Sequence, residues 1–335
     1  MTESAIDIHT HIVPADFPPY LGKHDGTRWP QMAPVDCSHR NVMIGGKVFR
    51  KVEDYCWDAG RRQTAMDGMG VRQQVLSPMP ELLSYWLDAT DTRDLARYIN
   101  DEIAALVERA PSRFHALGTV PLQDPELAAR ELETLMRSGR FRGVEIGSNI
   151  NGAPIGDARF EPFFAAAEEH GAAVFVHALH PAGRERFVGP PQVTNLIGFP
   201  CKTAFAIASL ITGGTLQRHP RLRLAFSHGG GAFALVLKRL THGWNIYPPV
   251  REHIAQPPAE LARRLYYDTL VYDSATIAFL IDTFGIRQLC IGSDFPFDIH
   301  DHQPLERLAP LKLSAADKGL VLNGNAARFL GVAVN

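Results

Sequence analysis

Two histidines one residue apart, His9 and His11, follow directly on the apolar run Ala5–Ile8. That run has two β-branched isoleucines and no breaker, so it reads as a short buried strand. Side chains alternate along a strand with period two, which puts both imidazoles on one face. Two imidazoles on one face at a strand end can close on one divalent ion. Similar residues recur further on. The run Ala173–Val176 is followed by His177, Leu222–Phe226 by Ser227 and His228, and Gln288–Ile291 by Gly292, Ser293 and Asp294. Any one of these alone is an ordinary structural residue, but five polar groups at strand ends make a set. Three histidines with one aspartate suit zinc or another borderline divalent ion and leave a position for water or substrate. A further histidine beside such a site can take and give a proton near neutral pH.

These side chains need elements that bring them to one place. After about residue 58 the chain alternates between helical and strand patterns. The remaining strands are expected at 72–76, 114–120, 143–146, 173–176, 222–226, 265–271 and 288–291. Helices are expected between them, among them 92–109 with Asp91 or Thr92 as N-cap and Pro111 beyond its end. Eight strands alternating with helices imply a parallel sheet, and in this length a closed (β/α)8 TIM barrel. An open doubly wound sheet is the alternative, but no GxGxxG follows the first strand. In a barrel the chemistry belongs at the C-terminal strand ends, where all five groups fall. Residues 12–57 lack this rhythm and are punctuated by Pro14, Pro18, Pro19, Pro30 and Pro34. Within them Asn41–Ile44, Gly45-Gly46 and Lys47–Arg50 read as a hairpin. The expectation is a single barrel domain over 1–335 with a small β-hairpin cap inserted at 12–57.

Composition removes several function classes. The 335 residues are 45% hydrophobic and 21% charged, an ordinary globular balance, and the formal net charge of −2 argues against a phosphate-tracking nucleic-acid surface. Cys37, Cys56, Cys201 and Cys290 are far apart and form no CxxC pair, which fits reduced thiols in a cytosol. No secretory signal pattern opens the chain and no apolar run approaches a membrane span, so a cytoplasmic protein without a membrane partner is expected.

A wider set of motifs surrounds the five groups: Asp7-Ile8-His9-Thr10-His11-Ile12, Gly46-Lys47-Val48-Phe49-Arg50, Cys56-Trp57-Asp58, Ser84-Tyr85-Trp86, Leu117-Gly118-Thr119-Val120-Pro121, His228-Gly229-Gly230-Gly231, Gly292-Ser293-Asp294-Phe295-Pro296-Phe297 and Gly324-Asn325-Ala326. Spanning nearly the whole chain, they resemble the amidohydrolase superfamily and, within it, the 2-amino-3-carboxymuconate-6-semialdehyde decarboxylases. The resemblance implies a metal held by His9, His11, His177 and Asp294, with His228 as the group that activates water and moves its proton. It implies that Arg50, on the cap hairpin, binds a substrate carboxylate, and that Arg239 reaches the active site of a neighbouring subunit in a homodimer. The guanidinium fork of arginine matches a carboxylate, in keeping with those roles. One divalent ion, zinc first, and no organic cofactor are expected. The activity implied is a non-oxidative decarboxylation of an unsaturated or aromatic acid. A superfamily hydrolase opening an amide or lactone is the alternative, and a non-catalytic binding protein a further one.

Two loops depart from the family pattern. Val-His-Pro-Trp-Asp is replaced by Val176-His177-Ala178-Leu179-His180, and Asp294 is followed by Asp298, His300, Asp301 and His302. These loops belong to the substrate side of the rim, so the metal and proton chemistry are expected to be shared and the substrate to differ. Glu145 ends the fourth strand, where it is expected to be a paired structural carboxylate, a second metal being the other reading. His115, His170, His219 and His242 are expected to be structural.

Overall fold

The computed structural model describes residues 4–181 and 183–333. Eight parallel strands form one sheet in chain order: β1 (Ala5–Ile12), β2 (Val71–Pro78), β3 (Phe114–Gly118), β4 (Gly143–Gly147), β5 (Ala173–His177), β6 (Arg223–Phe226), β7 (Tyr266–Asp268) and β8 (Leu289–Cys290). The ring closes through the backbone that continues β8. Ile8 N–H donates to Ile291 O at 2.9 Å, Asp294 N–H to His9 O at 2.9 Å and His11 N–H to Phe295 O at 2.8 Å. This is the expected (β/α)8 barrel. β1, β4 and β5 are buried along their whole length; β4 and β5 are apolar but for Glu145 and His177, whereas β1 carries Asp7, His9 and His11 on one buried face.

The principal outer helices are α1 (Ala59–Gly68), α2 (Ala89–Arg109), α3 (Pro125–Arg137), α4 (Glu161–Glu169), α5 (Phe199–Thr212), α6 (Phe233–Ile246), α7 (Ser274–Phe284) and α8 (Asn325–Leu330). One core joins Leu132 of α3, Phe163 of α4, Leu210 of α5, Leu237 of α6 and Ile277 of α7 to the strands beneath. The continuous helical stretch Thr194–Thr212, with mean hydropathy 1.3, is long and apolar enough to cross a membrane by length and composition, so one run does reach the length that the sequence reading excluded. Here its Ile207, Leu210 and Ile211 lie in the core.

Three differences from expectation have a local cause. α2 begins at Ala89, because the Asp88 side chain accepts the Thr90 N–H and caps it; Asp91 lies in the first turn and accepts from Tyr20 Oη instead. β7 stops at Asp268, because Asp268 Oδ1 accepts the Leu270 N–H and turns the chain. The insertion holds three antiparallel strands, Gln31–Pro34, His39–Ile44 and Lys47–Glu53, rather than two. The additional strand is an edge strand preceded by Pro30 and ending at Pro34, residues that argue against a strand when read in sequence. Gly45 and Gly46, at φ +60° and +72°, make the two-residue turn of the expected hairpin.

Candidate active site

His9, His11, His177 and Asp294 each place one donor atom within 4.8 Å of the other three, and all four residues are buried. Their orientation is set by the outward ring nitrogens. His9 Nδ1–H donates to Asp268 Oδ2 at 2.6 Å, His11 Nδ1–H to Pro78 O at 3.0 Å and His177 Nδ1–H to Ala178 O at 2.8 Å. With Nδ1 committed, each Nε2 is an unprotonated donor aimed inward. The Nε2 atoms of His9, His11 and His177 and Oδ1 of Asp294 are buried without a hydrogen-bond partner. Four orphaned acceptors at one point are costly unless a cation satisfies them, so the residues fit a divalent ion. Burial, reinforced by the imidazoles of His11 and His9, holds the His177 pKa well below its usual value and keeps that ring neutral. Burial opposes the Asp294 carboxylate, but the imidazoles of His9 and His11 outweigh it and hold its pKa well below the usual range.

His228 stands beside this cluster. Its Nε2 lies 3.9 Å from Asp294 Oδ2, and its buried Nδ1 has no partner. Its ring centroid is 5.3 Å from those of both His9 and His177. His228 has φ +57°, and Gly229, Gly230 and Gly231 follow at +61°, +77° and +59°. A Cβ on Gly231 would meet Pro200 O at 1.9 Å and one on Gly229 would meet Val271 Cγ1 at 2.6 Å. The triple glycine is therefore what lets the chain leave β6, present His228 and turn into α6.

Two adjoining cavities open from the rim. One, of about 260 Å³, is lined by His228, Leu270, Tyr272 and Ile299; the other, of about 640 Å³, by Arg50, Glu53, Phe297 and Asp298. They share Asn195, Leu196 and Ile299 as a common wall. The Arg50 guanidinium lies 4.2 Å over the Phe297 ring, and that ring stacks on His11 at 5.2 Å with 16° between planes. Arg50 thus faces the larger cavity. Arg239 lies elsewhere, exposed on α6, with no ion pair among the described residues.

The amidohydrolase family profile matches residues 6–332. The chain belongs to this family. The 2-amino-3-carboxymuconate-6-semialdehyde decarboxylase of Dictyostelium discoideum is 36% identical over 335 residues, covering 98% of this chain and 92% of that protein. The structure of 5-carboxyvanillate decarboxylase from Sphingomonas paucimobilis superposes with a TM-score of 0.81 at 24% identity, covering 99% of this chain and 100% of that one. A 5-carboxyvanillate decarboxylase from Novosphingobium aromaticivorans, crystallised with manganese, gives a TM-score of 0.72 at 24% identity, over 83% of this chain and 82% of that one. At these identities the two structures bear on the fold, which is this barrel.

Around this amidohydrolase centre the remaining residues sort by contact. Glu145 is buried behind His11, its Oε2 accepting Ser77 Oγ–H at 2.5 Å and lying 3.6 Å from His11 Nδ1. Burial pushes its pKa up to about 8 against the Ser77 hydrogen bond. It is not part of the four-donor cluster. His180, at φ +40°, packs on Trp86, over which Arg28 also lies. Asp298 lines the larger cavity, whereas Asp301 is buried and clasps Arg307. His219 pairs with Glu161 and Glu168, a structural role. Sequence reasoning missed Asp268 and Phe297. The Tyr-Tyr-Asp end of β7 is one more strand-end carboxylate, and that position was the available signal.

Proposed function

We propose that this carboxy-lyase of the amidohydrolase superfamily removes CO2 without oxidation from an unsaturated or aromatic carboxylic acid, with 2-amino-3-carboxymuconate-6-semialdehyde as the reference compound. The reading is carried by one observation: four orphaned donors converge beside a histidine held out of the cluster. In this reading His9, His11, His177 and Asp294 hold one divalent ion, zinc by the character of the donors, and no organic cofactor takes part. An ion there supplies Lewis acidity, which polarises oxygen and lowers the pKa of water.

The protein's own groups do the rest. Loss of CO2 leaves an electron pair on carbon that must be met by a proton. His228 is the proton carrier, its Nε2 turned toward the donor cluster and its backbone fixed by the glycine turn. Arg50, its plane set by Phe297, takes a substrate carboxylate in a bidentate grip and orients it toward the rim. Arg239 lies six residues into α6, about 9 Å from its start, on a helix that runs down the outside of the barrel away from its own rim. It is read as serving the site of a second copy. Leu235, 75% exposed, and Val236 on α6, with Phe205 on α5, give that neighbourhood the apolar surface a homodimer would cover. A cytosolic enzyme without a membrane partner completes the reading.

The test is CO2 release by the purified protein from 2-amino-3-carboxymuconate-6-semialdehyde and from 5-carboxyvanillate, before and after chelation and after zinc is restored. Metal-dependent CO2 release is expected. The His180 and Asp298–His302 loops lead us to expect poor efficiency with the first compound. Product without CO2 would make this a hydrolase, and binding without turnover would leave no lyase.

A further inference from the structure

Asp268 joins the two halves of the site. It is the last residue of β7 and its side chain is fully buried. Its Oδ2 accepts the Nδ1–H of His9 at 2.6 Å and the backbone N–H of His228 at 2.9 Å. Its Oδ1 accepts the backbone N–H of Gly229 at 2.7 Å and of Leu270 at 3.1 Å. So one carboxylate binds a metal-donor imidazole and both amides of the left-handed His228–Gly229 turn. To reach His9 on β1 it must pass over the chain that continues β8, and the gap is Gly292. A Cβ there would meet Asp268 Cβ at 2.6 Å, Asp268 Cγ at 3.1 Å and His9 Cβ at 3.1 Å. The His228 turn holds a non-glycine residue at positive φ, a conformation that persists only where surroundings enforce it. Its two leading amides donate to this one side chain.

We propose that Asp268 is a positioning residue shared by the metal ligand His9 and the proton carrier His228, and that Gly292 is the opening that makes the sharing possible. Metal affinity and the placement of His228 are then coupled through a single carboxylate. An isosteric amide at 268 cannot accept from all four donors at once, because one of its two positions becomes a donor. The inference rests on the proposed roles of His9 and His228.

The test measures zinc affinity of the full-length protein by competition with a chelator, amide hydrogen exchange at His228 and Gly229, and CO2 release at saturating zinc. Asp268→Asn is expected to bind zinc roughly 10- to 100-fold more weakly. Exchange should rise at His228 and Gly229 while β6 stays protected. At saturating zinc kcat should remain below that of the wild type, and Asp268→Asn should add no further loss in a His228→Ala background. Gly292→Ala, which leaves the carboxylate in place but blocks its passage, should reproduce the zinc and exchange effects. Wild-type zinc affinity in Asp268→Asn, or kcat fully restored by saturating zinc, would overturn the coupling. Should neither variant fold, slow exchange of the His228 and Gly229 amides in the metal-free wild-type protein supports the clamp, and rapid exchange overturns it. The zinc and exchange readouts stand even if His228 proves not to carry the proton, a failure that would show instead as undiminished turnover in His228→Ala.

Discussion

Each histidine donor in this barrel is defined by what its other nitrogen does. His9 leans on a carboxylate, His11 and His177 on carbonyls, and the three inward Nε2 atoms are left as bare acceptors. His115, on β3, also has a buried Nε2 without a partner, but it lies outside the donor cluster. Burial, aided by Arg142, lowers its pKa to about 4. The folded protein therefore keeps it neutral down to about pH 4, whereas the unfolded chain takes the proton near the ordinary histidine value of 6.5. Between those values the unfolded state binds more protons, so stability falls as pH drops through that window. Replacing His115 with Gln should remove a loss on the order of 1–3 kcal/mol between pH 6.5 and 4, read by urea denaturation of both proteins. An identical pH dependence in the two would show that His115 is not held neutral. At this scale the four donors and His228 were legible in the sequence, because strand-end position and residue type carry the signal. Asp268 was not singled out, because the strand was expected to run on to residue 271, which hides its strand-end position, and its contact with His9 spans 259 residues.

Among the elements, the barrel strands were readable because burial on both faces leaves apolar runs that turns and helices interrupt. The first cap strand was not, since proline flanks and partial exposure mask an edge strand. What the cap delivers is Arg50, and what fixes Arg50 is Phe297 from the loop after β8. Phe297 also stacks on His11, so one ring links the cap to the donor cluster. Phe297→Leu keeps an apolar side chain but removes the aromatic face under the guanidinium. A rise in KM of about 2- to 30-fold for the carboxylate substrate is expected, with metal content retained. An unchanged KM would mean that Arg50 is held, or acts, in some other way. The same loop carries Asp298 into the larger cavity.

The whole molecule raises the question of Arg239. It is exposed, without an ion pair among the described residues, and flanked by exposed apolar side chains on the same helix. If two copies complete each other's sites, then mixing inactive His228→Ala with inactive Arg239→Ala under conditions of subunit exchange should restore part of the activity. Hybrids would carry one intact composite site. No recovery despite proven exchange, or a fully active monomer, would contradict the arrangement.

The proposed centre divides its labour: four residues would hold one ion, and His228 would stand outside that set as the proton carrier. It is tested most directly by elemental analysis of the purified wild-type, His177→Ala and His228→Ala proteins, with turnover recorded on the same samples. One divalent ion per chain is expected in the wild type, and its loss in His177→Ala. A retained ion is expected in His228→Ala, with turnover down on the order of a hundredfold or more. Two ions per chain in the wild type, or loss of the ion from His228→Ala, would contradict it.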